Sequence, residues 1–147
     1  MIDAVLRMMA VLIVVVSSGC MVEARHDRAT KGVSAAHLVK SYRENPSDAD
    51  KEYKGKRWLI SGTVSNVISN ESGGTVRVDL VGGESERDEC LLDFPRRCGD
   101  QVSLLKRGDA VKADCMVLGY LVYPLSNDCR LLSSESSESE TVDETFP

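Results

Sequence analysis

Five cysteines hold most of the chemistry that this 147-residue chain offers: Cys20, Cys90, Cys98, Cys115 and Cys129. A thiol can serve as a metal ligand, a redox partner, an acyl acceptor or half of a disulfide, and spacing separates these uses. Common zinc sites draw on close pairs such as C-x2-C, often joined by histidines. Here the last four cysteines are separated by seven, sixteen and thirteen residues, and the two histidines are His26 and His37. That spacing argues against a metal site, and the lack of C-x-x-C argues against a redox-active pair. An enzyme would need a nucleophile with its base, or paired carboxylates in a cleft. No G-x-S-x-G, H-E-x-x-H or phosphate-cradling glycine loop occurs, and Gly73-Gly74 and Gly82-Gly83 read as hairpin turns. The chain reads as a non-enzyme with no cofactor.

Cys20 stands apart from the other four. Met8 to Val16 is an unbroken apolar run of nine, preceded by Arg7 and followed by Ser17-Ser18-Gly19-Cys20. A membrane-spanning helix needs about 20 apolar residues, so this run suits the centre of a secretory signal peptide. The small residues before Cys20 resemble a lipobox, in which the cysteine is acylated and becomes the first mature residue. Ser17 departs from the large aliphatic usual at its position. The expectation is an exported, periplasmic protein held to the membrane through lipidated Cys20. Four cysteines then remain, an even number that suggests two disulfides in an oxidising compartment. Cys115 and Cys129 fall near a late strand and the last extended segment, where a bridge would tie closing strands together. Cys90 and Cys98 would then pair across the Phe94-Pro95 turn. Four cysteines allow three pairings, and spacing does not choose among them.

The elements that must position these residues lie between two unlike ends. Residues 1–19 read as the signal peptide and 20–33 as a polar tether. Residues 133–147, SSESSESETVDETFP, hold five acidic residues and no basic one, a composition too polar to offset its chain entropy, and are expected to form a disordered acidic tail. Whole-chain charge is 18 − 23 = −5, and the tail accounts for all of it; residues 20–132 balance at 17 of each sign. A phosphate-backbone binder usually has a clear basic excess.

Within 34–132, Ser34 caps a predicted helix whose Ala35, Leu38, Val39 and Tyr42 share a face. Asn45-Pro46 interrupts it before a second helix from Ser47 to Tyr53. From Arg57 the period switches to two, with Trp58, Ile60, Gly62, Val64 and Ile68 on one face; Gly62 inside a long strand marks a bend. Further strands are expected at 75–81, 90–94, 110–116 and 121–125, with a short helix at 100–106 and a last extended piece at 129–132. This order predicts a five-stranded Greek-key barrel of the OB-fold type, all-β to α+β, with an N-terminal helix and a short helix between the third and fourth strands.

Tyr42, Asn45, Ala49, Tyr53-Lys54-Gly55-Lys56, Ser61-Gly62, Val64 and Ile68 resemble the opening of the tRNA-anti-like family. Leu105, Gly108-Asp109, Val111, Cys115, Gly119, Asp128-Cys129 and Leu131 are similar to its second half. The resemblance spans Ser34 to Leu132 and implies an OB-fold domain in a bacterial exported protein. The family name implies anticodon binding, yet it records a likeness of fold. The leading expectation is a module that binds an envelope protein or small ligand on the outer face of the first three strands, with Arg57, Arg77 and Asp93 as its polar residues. Nucleic-acid binding is the alternative. Lys54, Lys56, Arg57, Trp58 and Arg77 are its candidates, but Trp58 shares a face with core residues, and the body is neutral.

Overall fold

Ser34 starts the first helix, its Oγ accepting the His37 N–H at 3.1 Å. The computed structural model describes residues 29–70, 72 and 74–137. The expected signal peptide, Cys20, most of the tether and the tail from residue 138 lie outside the described residues. Helix α1 spans Ala35–Glu44 and buries Ala35, Leu38, Val39 and Tyr42, the single stripe that a period of 3.6 dictates. Asn45 serves both helices. Its N–H closes α1 on the Ser41 carbonyl, and its side chain accepts the Asp48 N–H to open α2, Pro46–Tyr53, with Pro46 in the first turn. Gly55, at φ 73°, turns the chain into the sheet.

Six strands follow the order β1-β2-β3-β4-β6-β5, and a further β2–β5 pairing closes the ring. They are β1 Gly32–Ser34, β2 Arg57–Asn70, β3 Thr75–Val81, β4 Glu89–Pro95, β5 Ala110–Tyr120 and β6 Pro124–Glu135. The barrel proper is β2 to β6, with β4 and β6 parallel and the other barrel neighbours antiparallel. That is the OB-fold topology. Strand β2 pairs with β5 over Arg57–Thr63 and with β3 over Val64–Asn70, with a bulge between Val64 and Asn66. A Cβ on Gly62 would stand 3.0 Å from the Ala35 Cβ and 3.2 Å from Leu80 Cδ1, so the bend lies directly against α1.

Ile60, Val64, Val78, Leu80, Leu92, Phe94, Ala113 and Val117 fill the barrel, and Leu38 and Tyr42 cap one end. Trp58 is buried and packs edge-on to Tyr53, which neighbours Tyr42; Tyr42 stacks on Tyr120 at 5.5 Å. A disulfide joins Cys115 on β5 to Cys129 on β6 across Cα atoms 4.2 Å apart.

Several sequence expectations are corrected. The Cys90–Cys98 bridge is absent: Cys90 is a buried free thiol, and Cys98 is not its partner. Cys90 points into the barrel from β4, where burial pushes its thiol up to about 12. Of the strand expected at 121–125, residues 121–123 are instead the bend of a β5–β6 hairpin, while Pro124 and Leu125 open β6, which runs on through the last extended piece expected at 129–132. The short helix expected at 100–106 is a 3-10 turn, Arg96–Cys98, leading into α3, Gly99–Val102. The tail boundary moves outward, since Ser133, Ser134 and Glu135 pair with Lys112, Val111 and Ala110. The tether shortens, since β1 pairs in parallel with Leu59–Ser61. Both segments are held by backbone hydrogen bonds that composition does not reveal.

The Cys115–Cys129 bridge closes a loop of 14 residues. Its loss by the double change Cys115→Ala/Cys129→Ala should lower unfolding free energy by about 3 kcal/mol. Urea unfolding of oxidised wild type and variant measures this, and equal midpoints would assign the barrel's stability to packing alone.

Candidate functional site

Arg57 begins β2, and its guanidinium reaches Asp114 within β5 and Asp128 within β6. Nε donates to Asp114 Oδ1 at 2.8 Å and Nη1 to Asp128 Oδ2 at 2.9 Å. Nη2 donates to the carbonyls of Asp114 at 3.2 Å and Asp128 at 3.0 Å. The side chains of Arg57 and Asp114 are 9% and 4% exposed, so this is a buried ion pair joining three strands. Asp128 sits at φ 46° and also accepts from Arg97. Asp114 Oδ2 takes the Ala29 N–H, which fixes where the chain enters the fold.

Arg77 and Asp93 face each other across β3 and β4, joined at 2.9 and 3.3 Å. The hydrogen bonds to Asp93 hold the Arg77 guanidinium above its ordinary pKa. Arg77 lies opposite Ile68 of β2, eleven residues along the strand from Arg57. Arg77 and Asp93 therefore form one half-exposed pair on the outer face of β2–β4, and Arg57 belongs to a separate structural clasp.

Sequence reasoning missed the outer-face groups around that pair. Val76, Val78 and Leu80 point inward, so Arg77 and Asp79 point outward. Asp79 is nevertheless buried. Desolvation, with the adjacent Glu89 carboxylate, pushes its carboxyl up to about 6. Ser65 Oγ donates to Glu89 Oε1 at 3.1 Å and lies 3.0 Å from the Asp79 carbonyl. Beside them a cleft of about 440 Å³ is lined by Ser65, Asn66, Glu84, Glu86, Asp88, Glu89 and Arg107. Asp88, on the β3–β4 loop, is ion-paired with Arg43 of α1. A Cβ on Gly82 would strike Val39 and the Asp88 backbone, so this loop's glycines permit close packing on α1. An acidic residue alternating with apolar neighbours, as in Val78-Asp79-Leu80, was the available signal.

The outer face thus carries Asp79, Glu89 and Asp93 against one cation, Arg77, and none of its strand residues is aromatic. Trp58 is enclosed in the core. No group of metal-ligating side chains exists among the described residues.

A family model described as tRNA_anti-like matches residues 3–130. No curated protein matches the sequence significantly. Among solved structures, a Klebsiella pneumoniae lipoprotein with a proposed nucleic-acid-binding role superposes with a TM-score of 0.58 at 17% identity, covering 70% of this chain and 92% of that one. A Leishmania major chain described as an aspartyl-tRNA synthetase gives a TM-score of 0.46 at 11% identity, covering 79% of this chain and 23% of that one.

Two outcomes separate clasp from surface. Arg57→Ala strands the Asp114 carboxylate in the interior and should cost about 3 kcal/mol or more, whereas Arg77→Ala breaks a half-exposed pair and should cost under about 1 kcal/mol. Urea titration of the two variants measures the difference, and similar losses would contradict the distinction. The folded pKa of Asp79 lies above its unfolded value of about 4. The folded state therefore holds the proton more tightly, and stability falls as pH rises from about 4 to 6. Asp79→Asn should accordingly stabilise the protein near neutral pH and not below about pH 3. Melting curves across that range test it, and an equal gain at both ends would refute the assignment.

Proposed function

The chain belongs to the tRNA_anti-like family, and on that premise we propose that it is an exported, lipid-anchored OB-fold module of the cell envelope. Its task is to bind a protein or a small envelope component on the outer face of β2–β4. The observation that carries this reading is the charge of that face. Three carboxylates outnumber one guanidinium, the adjoining cleft is acidic, and no aromatic side chain of the strands is offered for stacking. Binding to a phosphate backbone draws on the reverse: a basic groove with exposed rings. The exposed aliphatic Ile68 beside the Arg77–Asp93 pair suits a partner that is itself mixed in character.

The envelope location draws on the apolar run before Cys20 and the lipoprotein neighbour. The Cys115–Cys129 disulfide agrees with an oxidising compartment. Neither a catalytic step nor a cofactor is assigned.

Nucleic-acid binding is the second reading, and one observation favours it: the Klebsiella pneumoniae neighbour carries that proposed role on the same topology. A gel shift with single-stranded DNA and RNA at low and high salt discriminates the two. A tight, salt-sensitive shift would replace the first reading with the second.

The location is tested by the intact mass of the protein extracted from membranes. The expected species begins at Cys20 and carries acyl chains, with Cys115 and Cys129 blocked to alkylation until reduced. An unprocessed chain starting at Met1 would overturn the envelope assignment.

A further inference from the structure

The apex of the β5–β6 hairpin exposes apolar side chains, while Tyr120 at its base stacks on Tyr42. Leu121 and Val122 are 82% and 70% exposed, and Leu118 and Tyr120 on the same arm are also exposed. Tyr123 completes the tip, its carbonyl accepting the Leu121 N–H. Two branched aliphatics between two tyrosines form an unusual solvent-facing turn, since hairpin turns ordinarily carry glycine, asparagine or aspartate. Tyrosine, with an apolar ring and a polar tip, is the side chain that favours the boundary between headgroups and acyl chains.

We propose that this apex is a membrane-contact element, seated in the headgroup region of the bilayer to which the protein is anchored. The direction of the chain supports a lipid surface over other occupants. Strand β1 runs parallel to β2, and Ala29, just before it, is held by Asp114. Strand β5 runs antiparallel to β2, so past Met116, opposite Arg57, the hairpin continues beyond the end at which the chain enters. From Asp114 to Tyr120 is about 20 Å along the strand. The eight residues between Cys20 and Ala29 let the chain span at most about 30 Å. An anchor at Cys20 therefore draws this end of the barrel, tip included, to the membrane.

Electrostatics do not oppose the contact. Residues 46–56, which flank Gly119, hold three carboxylates and three lysines, with Asp48 paired to Lys51 and Asp50 to Lys54. An anionic surface meets no net negative charge there. The proposal rests on the lipid-anchor reading for its orientation, and its test is arranged to be independent of native acylation.

The chain from Met21 to Pro147, with an N-terminal histidine tag in place of Cys20, is held on phosphatidylethanolamine–phosphatidylglycerol vesicles containing a nickel-chelating lipid and brominated acyl chains. Val122→Trp reports on the apex. Glu135→Trp reports on the far end of the hairpin, about 33 Å away along the strand. The buried Trp58 is the common background. The expected result is a blue shift and bromine quenching at position 122, absent at position 135, and abolished when Leu121→Asp is added to the Val122→Trp protein. Equal emission at the two positions, on vesicles and in solution, would overturn the proposal. A blue shift at position 122 that grows with protein concentration before vesicles are added would assign the apex to a second copy of the chain and also overturn it. A failure of the anchor reading appears separately, as absence of acyl mass on Cys20, and leaves the vesicle result standing.

Discussion

A five-stranded barrel closes only if one strand serves two sets of neighbours, and here that strand is β2. Its first half pairs with β5 and its second half with β3, so the sheet must fold over within a few residues. The turn falls at Gly62 and the bulge after Val64, where a side chain on Gly62 would crowd Ala35 of α1 and Leu80 of β3 at 3.0 and 3.2 Å. Backbone hydrogen bonds continue through the corner: Val64 donates to the Asp109 carbonyl and accepts from the Gly108 N–H. Helix α1 meets the same corner through Ala35. At the other end of β2's first half, Arg57 binds Asp114 and Asp128, holding β5 and β6 against it where the hairpin leaves the barrel. Beside that clasp, the Cys115–Cys129 bridge ties the same two strands.

Much of this architecture was legible in the sequence because two periods were clean. The stripe Ala35, Leu38, Val39, Tyr42 named α1, and alternation from Trp58 to Val64 named β2 and placed the bend at Gly62, but the bulge after Val64 reverses the alternation and turns Ile68, expected on the same face, outward. Legibility failed where pairing is carried by backbone alone. Gly32–Ser34 is too short to display a period, and Ser133–Glu135 is polar on both faces, yet each lies in the sheet. It failed again at Leu121 and Val122, where apolar residues occupy a turn and imitate the continuation of a strand.

The candidate site was legible in part. Arg77 and Asp93 were legible as outer-face polar residues because both alternate outward on adjacent strands, and the register then joins them as a pair. Arg57 shares their polarity but not their place: its carboxylate partners are 57 and 71 residues away, a relation no local pattern contains. Asp79 escaped notice because outward alternation predicts exposure, while its burial beside Glu89 comes from the assembled face. Cys90 and Cys98 are the pair left over once Cys115 takes Cys129, whereas the inward side of β4 buries Cys90 as a lone thiol.

A neutral body, an acidic outer face and a hairpin that points the way the chain enters are the features behind the proposal of a module held at a surface and presenting one sheet to a partner. The central claim is that this sheet is the binding face. Photo-crosslinking in living cells tests it most directly, with a benzophenone side chain placed at Ile68 on the outer face or at the exposed Leu104 beyond α3. A discrete protein adduct from position 68, lost when Arg77 and Asp93 are both changed to alanine and absent from position 104, is the predicted result. Adducts to nucleic acid, or the same adducts from both positions, would contradict the account.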